Sequence, residues 1–248
     1  MTVPPDLEPL ANVPPSAGWT SAPVLAHALP FLAWIVLKSV LDAAVPDQAW
    51  KYAVLSLVGA LLLVTLRPWR YYPRPQWRHV PLALLIGVVV LAIWVVPFLG
   101  VADGMPLVQE LYLRFGVLPL GRLPAFPTQS LYSPELCGWP LTLVRLGGSA
   151  FIIAVAEEFF WRGFLYRRLL RPDFLKAPLG QFEVEAFCWS VLLFGLEHRE
   201  VVAGILAGAI YGLLIIRTRD IWTAVVAHVL TNLLLGIYVI RYDAYGFW

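Results

Sequence analysis

Charge is scarce in this chain. Only 14% of its 248 residues are Asp, Glu, Lys or Arg, against roughly 25% in a soluble domain, and this shortage excludes a water-soluble enzyme. A net charge of +2 leaves no basic surplus to spread over a phosphate backbone, so nucleic acid is not an expected partner. Cysteine is nearly absent: Cys137 and Cys188 stand far apart, in no spacing that suits a disulfide framework or a thiolate metal site. Strict alternation of apolar and polar residues is missing too, which excludes an outer-membrane barrel. The first 23 residues lack a basic start leading into an apolar run and carry Pro4, Pro5, Pro14, Pro15 and Pro23. They read as a disordered tail and not as a cleaved leader.

Apolar residues are abundant, at 60% of the chain with a mean hydropathy of +0.74. A hydrocarbon core about 30 Å thick needs roughly 20 apolar residues per helix, and seven segments qualify, at 24–41, 50–66, 80–101, 140–166, 184–197, 201–216 and 221–240. The expected fold is therefore all-α, a polytopic transmembrane bundle of about seven spans. Its expected organisation is a tail over 1–23, spans and a loop over 24–139, and a second membrane unit over 140–248. Segment five is short, and Pro97 is placed to kink segment three. Between segments three and four lies a stretch rich in proline and glycine that holds an amphipathic run, Leu107 to Val117. Of the two readings, surface lid and loop, the loop is preferred.

Lys and Arg are unevenly shared between the connections. Those after segments two, four and six hold Arg67, Arg70, Arg74, Arg78, Arg167, Arg168, Arg171, Lys176, Arg217 and Arg219, whereas the opposite set holds Lys51, Arg114, Arg122, Arg199 and Arg241. The positive-inside rule makes the richer set cytoplasmic, with the N-terminus on that side. The expected home is a bacterial inner membrane.

Ionisable groups inside apolar helices cost about 2.5 to 3.5 kcal/mol each at the bilayer centre, so each needs a reason. Segment four carries Glu157, Glu158 and Arg162. Glu158 and Arg162 stand at i and i+4 on one helix face in the favourable order, and Glu157 is turned about 100° away. Arg162 can thus neutralise Glu158 and leave Glu157 free, as suits a general acid or base. Ala154, Ala150 and Gly147 lie on Glu157's side and permit close approach. The second cluster pairs Phe194 with His198, again at i and i+4, so that the phenyl ring packs beneath the imidazole. The third pairs His228 with Asn232 on one face of segment seven, facing inward. Gly204, Gly208 and Gly212 form a small-residue stripe for helix packing. Lys38 and Arg145 also fall within segments; Lys38 is near a helix end, where it can snorkel.

Taken in order, Glu157-Glu158-x-x-x-Arg162, Phe194-x-x-x-His198 and His228-x-x-x-Asn232 resemble the CPBP family of intramembrane proteases, which includes the type II CAAX prenyl endopeptidases and the bacterial Abi proteins. The resemblance covers about residues 140 to 240 and implies a CAAX-protease-like core in the C-terminal half. It implies that Glu157 and His198 activate a water that attacks a peptide carbonyl, that His228 and Asn232 stabilise the oxyanion, and that Glu158 and Arg162 form a supporting ion pair with Phe194 beside them. It also implies membrane lipid and a peptide or membrane-protein substrate as partners. The family is also described as metalloproteases, which makes zinc the alternative, with Glu157, His198 and His228 as ligands. His-Glu-x-x-His is lacking, so no cofactor is indicated and a metal-free glutamate mechanism is expected. Two other functions stay open: a binding, proton-relay or transport protein, and a noncatalytic immunity or scaffold member of the family. The expected topology also carries a demand. Glu157 and His228 fall in the cytoplasmic half while His198 follows segment five outward, so the site requires segments five and six to form a short hairpin whose tip stays inside the membrane.

Overall fold

The computed structural model describes residues 18–99, 106–123, 127 and 129–248. Eight helices are found among them: α1 Ala22–Ala44, α2 Lys51–Leu66, α3 Val80–Val95, α4 Pro106–Phe115, α5 Pro134–Leu170, α6 Val184–Leu196, α7 Val201–Thr218 and α8 Ile221–Tyr242. No strand occurs among the described residues, so the all-α expectation holds. Six helical stretches are long and apolar enough to cross a membrane, and α6, corresponding to the fifth segment, is shorter. The expected tail lies outside the described residues over 1–17, and its last two residues already belong to α1.

Two expectations about local structure are corrected. Pro97 does not kink α3. The helix ends at Val95 and Pro97 sits in a single 3-10 turn, Val96–Phe98, because a ring in place of the N–H cannot continue the ladder. The amphipathic run is a helix and not a loop. Its Leu107, Val108, Leu111 and Phe115 are exposed, and Glu110 pairs with Arg114 one turn on at 2.7 Å. The turn after α4 is tied to the α6–α7 link by Leu118 N–H donating to Arg199 O at 2.8 Å, and to the first turn of α7 by Val202 N–H donating to Gly116 O at 3.2 Å.

The glycine stripe packs α7 against α6. A Cβ added at Gly204 would stand 3.0 Å from the Gly195 Cα, and one at Gly208 would stand 3.1 Å from the Phe194 ring, so only backbone-close packing fits there. Polar side chains fix the helix starts. Glu183 accepts from the N–H groups of Glu185 and Ala186 at the head of α6, and Asp220 accepts from that of Trp222 at the head of α8.

α5 is irregular where the chemistry-bearing residues sit. It turns at Gly138, whose φ of 79° is open to glycine at little cost. It then runs through two π-helical stretches, Gly148–Ile153 and Phe159–Leu165, on either side of Ala154–Glu158. Such bulges are frequent at functional sites. Glu157 stands thirteen residues before Leu170, and His198 fourteen after Val184. At about 1.5 Å rise per residue both lie roughly 20 Å from the 171–183 connection, which is how a short α6 returns His198 to the depth of Glu157.

Candidate active site

Glu158 is fully buried at 0% exposure, and its charge is compensated from two directions. Arg162 Nη1 donates to Glu158 Oε1 at 2.9 Å, as the i, i+4 spacing requires. His228, on α8, brings Nδ1 to within 2.9 Å of the same oxygen. A carboxylate only accepts, so this bond assigns the proton to Nδ1. Arg162 is itself enclosed: Nη2 donates to the Gly208 carbonyl at 3.2 Å, and the guanidinium lies 4.2 Å from the Phe194 ring centroid. One ion pair thereby joins α5, α6, α7 and α8.

Glu157 points elsewhere. Its Oε2 lies 3.6 Å from His228 Nε2, too long for a hydrogen bond, and this oxygen is buried without a hydrogen-bond partner. The residue lines a cavity of about 350 Å³ that His198, His228, Asn232 and Phe194 also line. The structure therefore brings together five of the seven residues singled out from the sequence on one cavity wall, with Glu158 and Arg162 packed behind it.

His198 belongs to the link between α6 and α7. Its Nδ1–H donates to the Phe194 carbonyl at 2.7 Å, which leaves Nε2 as the lone-pair nitrogen. The ring lies between Phe194, at 4.7 Å between centroids, and Trp94 of α3, at 5.3 Å. Trp161 Nε1–H donates to Glu197 at 2.9 Å and fastens the same link to α5.

Asn232 Nδ2 donates to the Ser149 carbonyl at 2.9 Å, inside the first π stretch, and that bond uses one of its two amide N–H groups. The His228 ring is stacked on Tyr211 of α7, 5.0 Å between centroids and 27° apart. Tyr211 donates to Thr231 at 2.8 Å, and Thr231 lies 2.9 Å from the Gly87 carbonyl of α3. Sequence reasoning missed Tyr211, Thr231, Ser149, Trp94 and Trp161. Tyr211 stands one turn from Gly208 on α7, which was the one available signal.

Glu157, His198 and His228, the zinc set that the resemblance suggests, all line the cavity. Each imidazole has Nδ1 engaged, His228 by Glu158 and His198 by the Phe194 carbonyl, which leaves Nε2 uncommitted, as in a metal-binding histidine. No group of three or more His, Cys, Asp or Glu among the described residues stands close enough together to hold a metal ion.

Residues 139–234 match the family model described as type II CAAX prenyl endopeptidase Rce1-like. The match covers α5 beyond its turn at Gly138, α6, α7 and most of α8. No curated protein and no solved structure matches the chain.

Proposed function

We propose, from the premise that residues 139–234 form a domain of the type II CAAX prenyl endopeptidase Rce1-like family, that this protein hydrolyses a peptide bond of a membrane-associated substrate with a water activated by Glu157 and His198. The family is one of membrane proteases, and six apolar helices embed this chain in a bilayer. The observation that carries the reading is the wall of the cavity. Two groups able to accept a proton, the Glu157 carboxylate and His198 Nε2, share it with two groups able to donate, Asn232 and His228.

In this reading Glu157 takes a proton from water as the oxygen bonds to the scissile carbonyl carbon, and His198 Nε2 orients that water by accepting its other hydrogen. The carbonyl π electrons move to oxygen, and the second N–H of Asn232 donates to the oxyanion. His228 contributes through Nε2, because Nδ1 is held by Glu158; when Nε2 carries a proton it donates to the same oxyanion. Glu157 then returns its proton to the departing nitrogen as the C–N bond breaks, and the enzyme is restored. Packing on Tyr211 and the bond to Glu158 hold His228 in place, so little reorganisation is needed during reaction.

A fluorescent, farnesylated peptide with a C-a-a-X end, offered to the purified protein in nanodiscs, tests this reading. Cleavage by wild type that persists after treatment with a zinc chelator supports it. Cleavage abolished by the chelator and restored by zinc overturns the metal-free mechanism, and no cleavage of this or a proteome-derived membrane-peptide pool overturns the protease.

A further inference from the structure

Arg145 is an intramembrane cation with no role in the activation of water. It lies in α5 on the wall of the same cavity. Its Nη1 donates to the Tyr52 hydroxyl at 2.9 Å, its guanidinium lies 4.2 Å from the Tyr52 ring centroid, 5.5 Å from that of Tyr132 and 5.2 Å from that of Trp248, and its Nε is buried without a partner. It forms no ion pair among the described residues. Three aromatic rings hold the guanidinium by cation–π attraction but do not neutralise it. An arginine within a span is costly unless it meets an anion or a polar path, and this one meets a cavity.

We infer that Arg145 binds the free C-terminal carboxylate of the substrate peptide and so selects chains that end a few residues beyond the cleaved bond. The inference rests on the reading of this cavity as a peptide site. Arg145 stands four residues before Ser149, whose carbonyl holds Asn232, and twelve before Glu157. Those separations are about 6 and 18 Å along the helix, which an extended peptide spans in about two to five residues. The planar guanidinium matches a carboxylate with two parallel N–H donors. Trp248 and Tyr52 line the cavity beside the guanidinium.

The experiment uses one fluorescent farnesylated C-a-a-X peptide made in two forms, with a free acid and with an amide at its C-terminus. Binding and cleavage of each are measured for wild type, Arg145→Met and Arg145→Lys in nanodiscs of zwitterionic lipid, and again with anionic lipid added. The expected result is that wild type prefers the acid by about tenfold to a hundredfold in Kd and KM, that Arg145→Met brings the acid-to-amide ratio towards one, and that Arg145→Lys restores part of it. Equal treatment of the two peptides by wild type, or an unchanged ratio in Arg145→Met, overturns the inference while cleavage leaves the protease reading standing. Acid-selective binding through Arg145 without cleavage does the reverse. Loss of the preference only when anionic lipid is present assigns Arg145 to lipid phosphate and overturns the peptide carboxylate as its ligand.

Discussion

Glu158 and His228 are seventy positions apart in sequence, yet Oε1 of one and Nδ1 of the other are 2.9 Å apart. Through this contact the buried ion pair of α5 reaches the imidazole that also faces Glu157. Support and chemistry are therefore not separable, and the variants at Glu158 are expected to show both.

Glu158→Ala leaves the Arg162 guanidinium, 5% exposed, buried without its carboxylate. Breaking a buried pair in this way costs about 3 to 5 kcal/mol, read as a fall in thermal or denaturant stability in detergent. Adding Arg162→Ala to that variant is expected to cost less than the sum of the two single changes, since neither charge is then stranded. Strict additivity would show that the two side chains do not act as a pair.

Asn232→Ala removes the proposed oxyanion donor as well as the bond to Ser149. The expected effect is a loss of about 10² to 10³ in kcat with KM changed by less than about threefold. A rise in KM with kcat preserved would instead place Asn232 in substrate binding.

Two glycines offer a paired test of packing. Gly208→Leu must displace Phe194, 3.1 Å from an added Cβ, and Phe194 supplies the carbonyl that holds His198; activity is expected to be lost along with stability. A Cβ at Gly147 meets nothing within 4 Å, so Gly147→Ala is expected to keep activity and gain up to about 1 kcal/mol from helix propensity. Thermal melts and peptide cleavage of both variants check this, and equal damage by the two would be inconsistent with the tight α6–α7 contact at Gly208.

Much of this arrangement was legible in the chain. Hydropathy placed all seven helices of the membrane segments, because a continuous apolar run in lipid must satisfy its backbone hydrogen bonds internally and therefore coils into a helix. The i, i+4 rule gave the Glu158–Arg162 pair and the nearness of Phe194 to His198. The same rule sees only one helix at a time. It could not show that His228 bonds to Glu158 or stacks on Tyr211, contacts that depend on how α7 and α8 pack against α5. The π-helical stretches around Glu157 have no periodic signature, and the Pro-rich setting of Leu107 to Val117 concealed a helix of only ten residues. The hairpin of segments five and six was allowed by their lengths but not required by them; the shared depth of His198 and Glu157 emerges only from where α5 ends, at Leu170, and from an α6 of thirteen residues.

The proposed mechanism turns on Glu157 taking the proton of the attacking water. Single-turnover cleavage of the farnesylated peptide by wild type and Glu157→Gln, with peptide affinity measured on the same preparations, examines that step alone. A rate lower by about 10² to 10⁴ at unchanged affinity is expected. A Glu157→Gln protein that cleaves at close to the wild-type rate would show that another group accepts the proton.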